Sequence, residues 1–314
     1  MLYVGIDLGG TNIAVGIVDE NGTILHKDET PTLVGRPYQE ILHDMGQLAL
    51  KVIADSGHTL DEIAGIGAGV PGVANEDGVV VFATNLFWHN VPMADELHKY
   101  LPDKPIFIDN DGNVAGLAEY FAGVSKGTKN SVFLTLGTGV GGGFVVDGKL
   151  VTGSHHVGAE IGHMVIAIDG EQCTCGNKGC WERYTSATAL IARGKEAAQA
   201  NPTCLIAQKC GGDLEKIDAR IVIDSARELD PVAVKIFDDY AYYMAIGLVN
   251  IVNIFDPEVI ALGGGVSRAG DFLLDAIRKK MDAMVMYKTM PYARIEIAQL
   301  GNDAGIIGAA MLCK

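Results

Sequence analysis

Two glycine-rich segments, one in each half of the chain, share one pattern and constrain the fold more than any other feature. The first reads YVGIDLGGTNIAVGIVD (3–19) and the second SVFLTLGTGVGGGFVVD (131–147). An offset of 128 residues takes Gly9 to Gly137 and Asp19 to Asp147. Each segment is an apolar strand, a glycine turn, a second apolar strand and a polar turn. Such self-similarity indicates a duplicated structural unit.

The duplication predicts two related α/β domains whose glycine turns lie on opposite sides of a central cleft. A length of 314 residues suits two domains. We expect a small N-terminal domain over 1–120 and a large C-terminal domain over 121–302, with 126–130 as the joint. The C-terminal helix, about 303–314, is expected to pack back on the first domain.

Charge and hydropathy restrict the partners. The net charge of −15 repels a phosphate backbone, so nucleic acid is not an expected partner. The N-terminus begins with a strand pattern and has no leader-like segment, which predicts a cytoplasmic protein. The longest apolar stretch, 241–255, is too short to span a membrane and predicts a buried core helix.

The first glycine turn, Gly9-Gly10-Thr11, has the composition of a phosphate-binding loop. Glycines allow backbone N–H groups to reach phosphate oxygens, and Thr11 adds a hydroxyl. Asp7, just before the turn, is placed to hold Mg²⁺ directly or through water. An ordinary tight hairpin is the alternative for this turn alone. The matching turn at 136–143, with five glycines in eight residues, favours a ligand.

A third glycine run, Gly263-Gly264-Gly265, follows a predicted strand and precedes a predicted helix. It suits the adenine and ribose of a nucleotide, and a plain strand-to-helix turn is the alternative. A dinucleotide fold is disfavoured because no GxGxxG follows a predicted strand.

A cysteine cluster predicts a structural metal. His163, Cys173, Cys175 and Cys180 supply one imidazole and three thiolates, a complete tetrahedral set for Zn²⁺. Four unrelated residues or a redox pair are the alternatives. Glu160 and Glu182 flank the cluster and either face a sugar's hydroxyl groups or are solvated surface carboxylates.

Asp111 stands at the junction of a predicted strand and a predicted helix. By position it can cap the helix, and as a carboxylate it can also accept the proton of an attacking hydroxyl. We expect it to do both.

Together these motifs resemble the ROK family of bacterial sugar kinases and repressors. The segments that carry the resemblance span the chain: DLGGTN, ATNLFWHNVP (83–92), DNDGNVAGLAE (109–119), LGTGVGGG, GAEIGH (158–163) and CTCGNKGCWE (173–182). The resemblance implies the actin–hexokinase–Hsp70 fold, with ATP bound between the domains and phosphoryl transfer to a hexose hydroxyl. Within the family the chain is most similar to the glucokinases.

The resemblance also implies residue roles. Asp111 is the implied catalytic base. The implied sugar contacts are Asn85, Asn110, Asp111, Glu160, His163 and Glu182. The implied phosphate contacts are Gly9, Gly10, Thr11, Thr138 and Gly139, and the implied zinc ligands are His163, Cys173, Cys175 and Cys180.

Two positions depart from the family's common pattern. Gly112 stands where alanine is frequent. Glycine in the first turn is expected to lower the stability of the helix that carries Asp111 by up to about 1 kcal/mol. Trp181 replaces a frequent leucine, and we expect it to reshape the wall of the sugar pocket.

The sequence therefore predicts an ATP-dependent hexose kinase acting on the 6-hydroxyl of glucose, with Mg²⁺ and a structural Zn²⁺. Allose, mannose, fructose, N-acetylmannosamine and N-acetylglucosamine are alternative acceptors, because discrimination among epimers rests on one or two hydrogen bonds. A sugar-sensing repressor is the non-enzymatic alternative, although the first glycine turn leaves no room for a DNA-binding segment before it. A homodimer is the expected assembly.

Overall fold

The computed structural model describes residues 1–314 as a mixed α/β protein. Its helices are α1 (Tyr38–Asp55), α2 (Met93–His98), α3 (Asp111–Ala122), α4 (Glu182–Thr185), α5 (Ala187–Ala200), α6 (Leu205–Lys209), α7 (Ala219–Arg227), α8 (Pro231–Phe255), α9 (Asp271–Met284) and α10 (Ala304–Met311). Its strands are β1 (Leu2–Leu8), β2 (Asn12–Asp19), β3 (Ile24–Pro31), β4 (Ile63–Val70), β5 (Val73–Ala74), β6 (Val80–Ala83), β7 (Trp88–Val91), β8 (Ile106–Asn110), β9 (Ser131–Leu136), β10 (Val140–Val146), β11 (Lys149–Leu150), β12 (Val259–Gly263) and β13 (Arg294–Ile297).

The two repeated segments each begin a five-stranded sheet. The first sheet has the order β3-β2-β1-β4-β8, and the second has the order β11-β10-β9-β12-β13. In the first sheet β1 and β2 form an antiparallel hairpin around the glycine turn, and β4 lies parallel to both β1 and β8. In the second, β12 and β13 are parallel. The repeated order is the structural counterpart of the sequence duplication.

Glycines within the first sheet let α10 lie directly on it. A Cβ atom added at Gly5 of β1 would be 1.9 Å from the carbonyl oxygen of Ile306. The corresponding distance from Gly67 of β4 to the carbonyl oxygen of Ala309 is 1.7 Å. Because any side chain at these positions would collide with the helix backbone, the two glycines fix where α10 packs.

The contacts among residues divide the chain into two compact units. The first comprises Met1–Phe133, Gly143–Ala159 and Gln299–Lys314, and the second comprises Leu134–Gly142 and Glu160–Ala298. Helix α10 belongs to the first unit, where it packs against α3 and β1. The domain boundaries expected at 120 and 302 stay a prediction.

Helix α8 contains the apolar stretch for which a buried helix was expected. It is longer than the stretch itself, because Asp230 caps it at the N-terminus and Pro231 occupies its first turn. None of the helices combines the length and the apolar character that a membrane span requires.

Candidate active site and metal centre

The first glycine turn is held from outside by a threonine. Within the turn, the backbone N–H of Gly9 donates to the carbonyl oxygen of Asn12 at 2.9 Å. Thr32, which is fully buried, donates its hydroxyl to the carbonyl oxygen of Gly9 at 2.7 Å and its N–H to that of Thr11 at 2.8 Å. Gly10 borders open space, since a Cβ atom there would meet nothing within 4 Å. The turn is therefore braced on one side and accessible on the other.

Asp7 lies largely buried at the end of β1, next to this turn. Burial raises its pKa to about 6, and the negative charge of Asp111 contributes to the rise. Gly305 leaves room for the carboxylate, because a Cβ atom there would be 2.2 Å from Asp7 Oδ2. Two carboxylates close enough to repel each other favour a bound cation.

Asn110, rather than Asp111, caps helix α3. The Asn110 Oδ1 accepts hydrogen bonds from the N–H of Gly112 at 2.8 Å and of Asn113 at 3.4 Å, and its Nδ2 donates to the carbonyl oxygen of Gly72 at 3.1 Å. The expectation that Asp111 itself caps the helix was wrong. Asp111 is the exposed first residue of the helix, and its Oδ1 accepts from the N–H of Gly112 at 2.8 Å.

Asp109 supports this corner from beneath. Its Oδ1 accepts from the Nδ2 of Asn113 at 2.8 Å and from the N–H of Asn110 at 2.7 Å. Burial nevertheless raises the pKa of Asp109, and these hydrogen bonds only oppose that effect. The strand-to-helix corner that presents Asp111 thus contains a largely buried carboxyl group.

The four residues predicted to bind zinc do come together. The ligand atoms of His163, Cys173, Cys175 and Cys180 all lie within 4.8 Å of one another. The Sγ atoms of Cys175 and Cys180 are 3.6 Å apart, and the Sγ of Cys173 is 3.7 Å from His163 Nδ1. Zinc–sulfur bonds of about 2.3 Å give a tetrahedron with edges of about 3.8 Å, so the geometry fits Zn²⁺.

The chemistry of the cluster also suits a cation. Burial and the neighbouring thiols raise the pKa of Cys180 to about 12, since thiolates packed together repel. The loop closes on itself through Gly179, which has φ of 76° and whose added Cβ would be 1.7 Å from the carbonyl oxygen of Ala167. Zn²⁺, when bound, would join the loop's two ends.

Glu182 lies beside the cluster, as the sequence suggested. Its Oε1 is 3.2 Å from Cys173 Sγ and 3.8 Å from His163 Nδ1. On its other side, a Cβ atom added at Gly139 would be 2.8 Å from Glu182 Oε2. Glu182 therefore stands between the cysteine cluster and the second glycine turn. Glu160 is exposed and immediately precedes the short 3-10 turn Ile161–His163.

Trp181 does not form a pocket wall, contrary to the expectation from sequence. The side chain is fully buried, and its Nε1 donates to the carbonyl oxygen of Tyr243 at 2.8 Å. The ring lies against Gly247 of α8, where an added Cβ would be 2.1 Å from Trp181 Cε2. Trp181 therefore fixes in the core the part of the chain that directly follows Cys180.

The second glycine turn is also held from outside. Within it, the N–H of Gly137 donates to the carbonyl oxygen of Gly139 at 3.1 Å. The N–H of Ala187 donates to the carbonyl oxygen of Gly137, and the hydroxyl of Thr188 donates to that of Thr138, both at 2.8 Å. Sequence reasoning missed Thr188, as it missed Thr32 at the first turn.

The third glycine run contains three different environments. Gly263 is buried at the end of β12. Gly264 has φ of 83° and lies against the backbone of Leu136, 2.6 Å from its N atom to an added Cβ, so its glycine has a packing reason. Gly265 is open and, with Arg268, lines a cavity of about 490 Å³. The other residues lining this cavity are Asp218, Ala219, Arg220, Ile223, Asp224, Arg227 and Ala269.

Asn85 lies between two strands of a small separate sheet. It is the exposed central residue of the 3-10 turn Thr84–Leu86, which joins β6 to β7. With Asn110 and Asp111 it belongs to the first unit, whereas Glu160, His163 and Glu182 belong to the second.

Comparison with known proteins places the chain in a family. The ROK family model matches residues 3–314. The glucokinase of Thermotoga maritima is 38% identical over 313 residues, covering 99% of this chain and 96% of that protein. The structure of a ROK family glucokinase from Streptomyces griseus, in complex with glucose and AMPPNP, has a TM-score of 0.80 and 35% identity, with 99% of each chain covered. A putative xylose repressor of a Caldicellulosiruptor species is 28% identical and matches 99% of this chain but 77% of its own length.

The chain therefore belongs to the ROK family. Its two matching sheets have the duplicated actin-like ATPase fold of that family's sugar kinases, which confirms the fold class predicted from sequence.

Proposed function

We propose that this chain is an ATP-dependent glucokinase, which transfers the γ-phosphate of ATP to the 6-hydroxyl of glucose. The observation that carries the proposal is the pair of carboxylates beside the first glycine turn: Asp7, largely buried, and Asp111, exposed at the start of a helix that Asn110 caps. Family membership and the glucokinase relatives support an ATP-dependent sugar kinase.

Asp111 is the proposed general base. Its carboxylate lies in the first turn of α3, next to the Asn110 cap. Asn110 accepts hydrogen bonds from the N–H groups of Gly112 and Asn113, and the Asp111 carboxylate is the group proposed to accept a hydrogen bond from the hydroxyl of the acceptor. In sugar phosphorylation this carboxylate accepts the proton as the oxygen attacks phosphorus.

Asp7 is the proposed side chain on the metal side of the reaction. Its pKa of about 6 shows that its environment disfavours an uncompensated charge. Mg²⁺, when bound with the nucleotide, would compensate that charge and the charge on the phosphates. The open faces at Gly10 and at Gly137 leave backbone space for phosphate oxygens, which supports the proposed contacts of Gly9, Gly10, Thr11, Thr138 and Gly139.

The cavity beside Gly265 is the proposed site of the nucleoside end of ATP. Its volume of about 490 Å³ suits a purine nucleoside, and Asp218 offers a carboxylate to ribose hydroxyls. Gly263 and Gly264 precede Gly265 in the chain and are proposed to support this side of the cavity, since Gly264 packs on Leu136.

The proposed sugar contacts are Asn85, Asn110, Asp111, Glu160, His163 and Glu182. The proposed Zn²⁺ site fixes His163 through Nδ1, which leaves Nε2 for a hydroxyl group. Glucose is the proposed acceptor because the most similar full-length relatives include glucokinases; the other hexoses considered above are the alternatives.

The role of Asp111 is tested by Asp111→Asn. Loss of the base is expected to lower kcat by about 10²- to 10⁴-fold while glucose affinity changes little. Asp271→Asn is the matched control, because Asp271 is likewise the exposed first residue of a helix, α9. A folded Asp111→Asn protein with near-normal turnover would remove Asp111 as the base.

The xylose repressor relatives favour a second candidate, a sugar-responsive regulator that binds sugar without turnover. The two functions differ in one observable. A kinase releases ADP in proportion to the sugar phosphate formed, whereas a sensor binds sugar and releases none.

A further inference from the structure

The second glycine turn and the cysteine cluster are joined by one short segment, 180–188. It begins at Cys180, a member of the cluster, and ends at Thr188. Between them, Trp181 is buried against α8 and Glu182 lies beside both Cys173 and Gly139. A segment of nine residues thus reaches from the metal ligands to the turn.

The segment is hydrogen-bonded within itself and to α8. The hydroxyl of Thr185 donates to the carbonyl oxygen of Trp181 at 2.8 Å, and the carbonyl oxygen of Thr185 accepts from the buried hydroxyl of Tyr240 at 2.8 Å. Ser186 caps α5 by accepting from the N–H of Ala189. The bond from Tyr240 ties the middle of the segment to α8.

The end of the segment holds the turn at two successive carbonyl groups. The N–H of Ala187 bonds the carbonyl oxygen of Gly137, and the hydroxyl of Thr188 bonds that of Thr138. With these two carbonyls turned toward the segment, the peptide N–H groups that follow them are fixed as well. Those N–H groups belong to Thr138 and Gly139, the proposed phosphate contacts.

The first glycine turn has an equivalent hydrogen bond from a threonine hydroxyl to a carbonyl oxygen of the turn. There the hydroxyl of Thr32 bonds the carbonyl oxygen of Gly9, 23 residues earlier. In both halves of the duplication a threonine outside the turn therefore orients a carbonyl within it.

We propose that Thr188 is a positioning residue for nucleotide binding: its hydroxyl fixes the peptide at Thr138, so that the second glycine turn presents its N–H groups to the phosphates. The proposal rests on the proposed function as an ATP-dependent kinase. It assigns segment 180–188 a role at the nucleotide, in addition to the sugar-facing role proposed for Glu182.

The test compares Thr188→Val, Thr188→Ser and Thr203→Val with the wild-type protein. Valine keeps the shape of threonine and removes the hydroxyl, serine keeps the hydroxyl, and Thr203 is an exposed threonine elsewhere in the second unit. ADP and glucose binding are measured by calorimetry, and KM for ATP and for glucose by steady-state kinetics.

Thr188→Val is expected to weaken ADP binding and to raise KM for ATP by about three- to tenfold, the usual range for one neutral hydrogen bond. Glucose affinity, zinc content and melting temperature should stay at wild-type values, because Thr188 is exposed. Thr188→Ser and Thr203→Val should both behave as wild type.

Two results overturn the proposal: wild-type ADP affinity in Thr188→Val, or a Thr188→Ser protein as weak as Thr188→Val. A wild-type protein that binds no adenine nucleotide gives a different result. It removes the proposed kinase function itself, and with it the ligand that the turn is proposed to hold.

Discussion

At the scale of single residues, the departure from the common family pattern at Trp181 is explained by Gly247, a residue far along the chain. The indole occupies a volume that exists only because position 247 of α8 is glycine. Glycine costs an interior helical position about 1 kcal/mol relative to alanine, and here the cost is offset by burying the largest side chain. The pair Trp181 and Gly247 is therefore one packing unit.

Gly247→Ala is expected to destabilise the protein by about 1–3 kcal/mol, the range for overpacking a core. Without the indole contact the same substitution in a helix would stabilise it. Urea unfolding of Gly247→Ala, Trp181→Leu and the double variant measures the coupling, and the double variant should lose less than the sum of the two singles. An additive cycle would contradict the packing unit.

The buried carboxyl of Asp109 gives a pH-dependent prediction. Its pKa is raised from the usual 3.8, so the folded state retains a proton that the unfolded chain has already lost. The free energy of unfolding therefore falls as the pH rises from the pKa of the unfolded chain to the higher pKa of the folded state. It stays at the lower value above that interval. Asp109→Asn, which keeps the acceptor oxygen and carries no charge, should gain stability relative to wild type between about pH 4 and about pH 8.

Chemical denaturation of both proteins across this range provides the measurement. A stability difference that is constant with pH would show that Asp109 has the same pKa folded and unfolded.

At the scale of elements, the loop 164–180 contains the three cysteines of the proposed Zn²⁺ site. It contains no helix or regular strand, and hydrogen bonds such as that from the N–H of Ile166 to the carbonyl oxygen of Gly179 join its two ends. The loop is joined to the second glycine turn through segment 180–188. Loss of the proposed Zn²⁺ should therefore weaken the binding of both proposed ligands, glucose and the nucleotide.

Cys175→Ser is expected to reduce bound zinc from one ion per chain and to weaken glucose binding by about 10- to 100-fold, with a smaller loss for ADP. Cys204→Ser is the control, since Cys204 lies outside the cluster at the N-cap of α6, where serine is favoured. Metal analysis with calorimetry distinguishes the two variants. Unchanged glucose affinity in a zinc-poor, folded Cys175→Ser protein would contradict the role given to the loop.

Features formed by neighbouring residues could be predicted from the sequence, whereas contacts between distant residues could not. The glycine turns, the cysteine cluster and the strand-to-helix corner at Asp111 depend on residues close together in the chain, and local patterns indicated them. Thr32 and Thr188 act on turns 23 and 50 residues away, and Trp181 on a helix 66 residues away, so no local pattern reveals these contacts. The cap at Asn110 was missed because adjacent Asn and Asp both have the chemistry of a cap.

At the scale of the whole molecule, duplication gives each half the same sheet order with different side chains at equivalent positions. Asp7 of the first half corresponds to Thr135 of the second, so only the first turn carries the carboxylate. The first half also has Asp111, and the second has the cysteine cluster. The expected homodimer and the expected domain boundaries remain predictions at this scale.

ADP release by the purified protein is the most direct test of the proposed phosphorylation of glucose by ATP. The panel of acceptors is glucose, allose, mannose, fructose, N-acetylmannosamine and N-acetylglucosamine, each with ATP and Mg²⁺. Glucose is expected to give the highest kcat/KM, with glucose 6-phosphate formed in equal amount to ADP. No sugar-dependent ADP release from a zinc-loaded protein that binds glucose would contradict the kinase, and a higher kcat/KM for another hexose would contradict glucose as the acceptor.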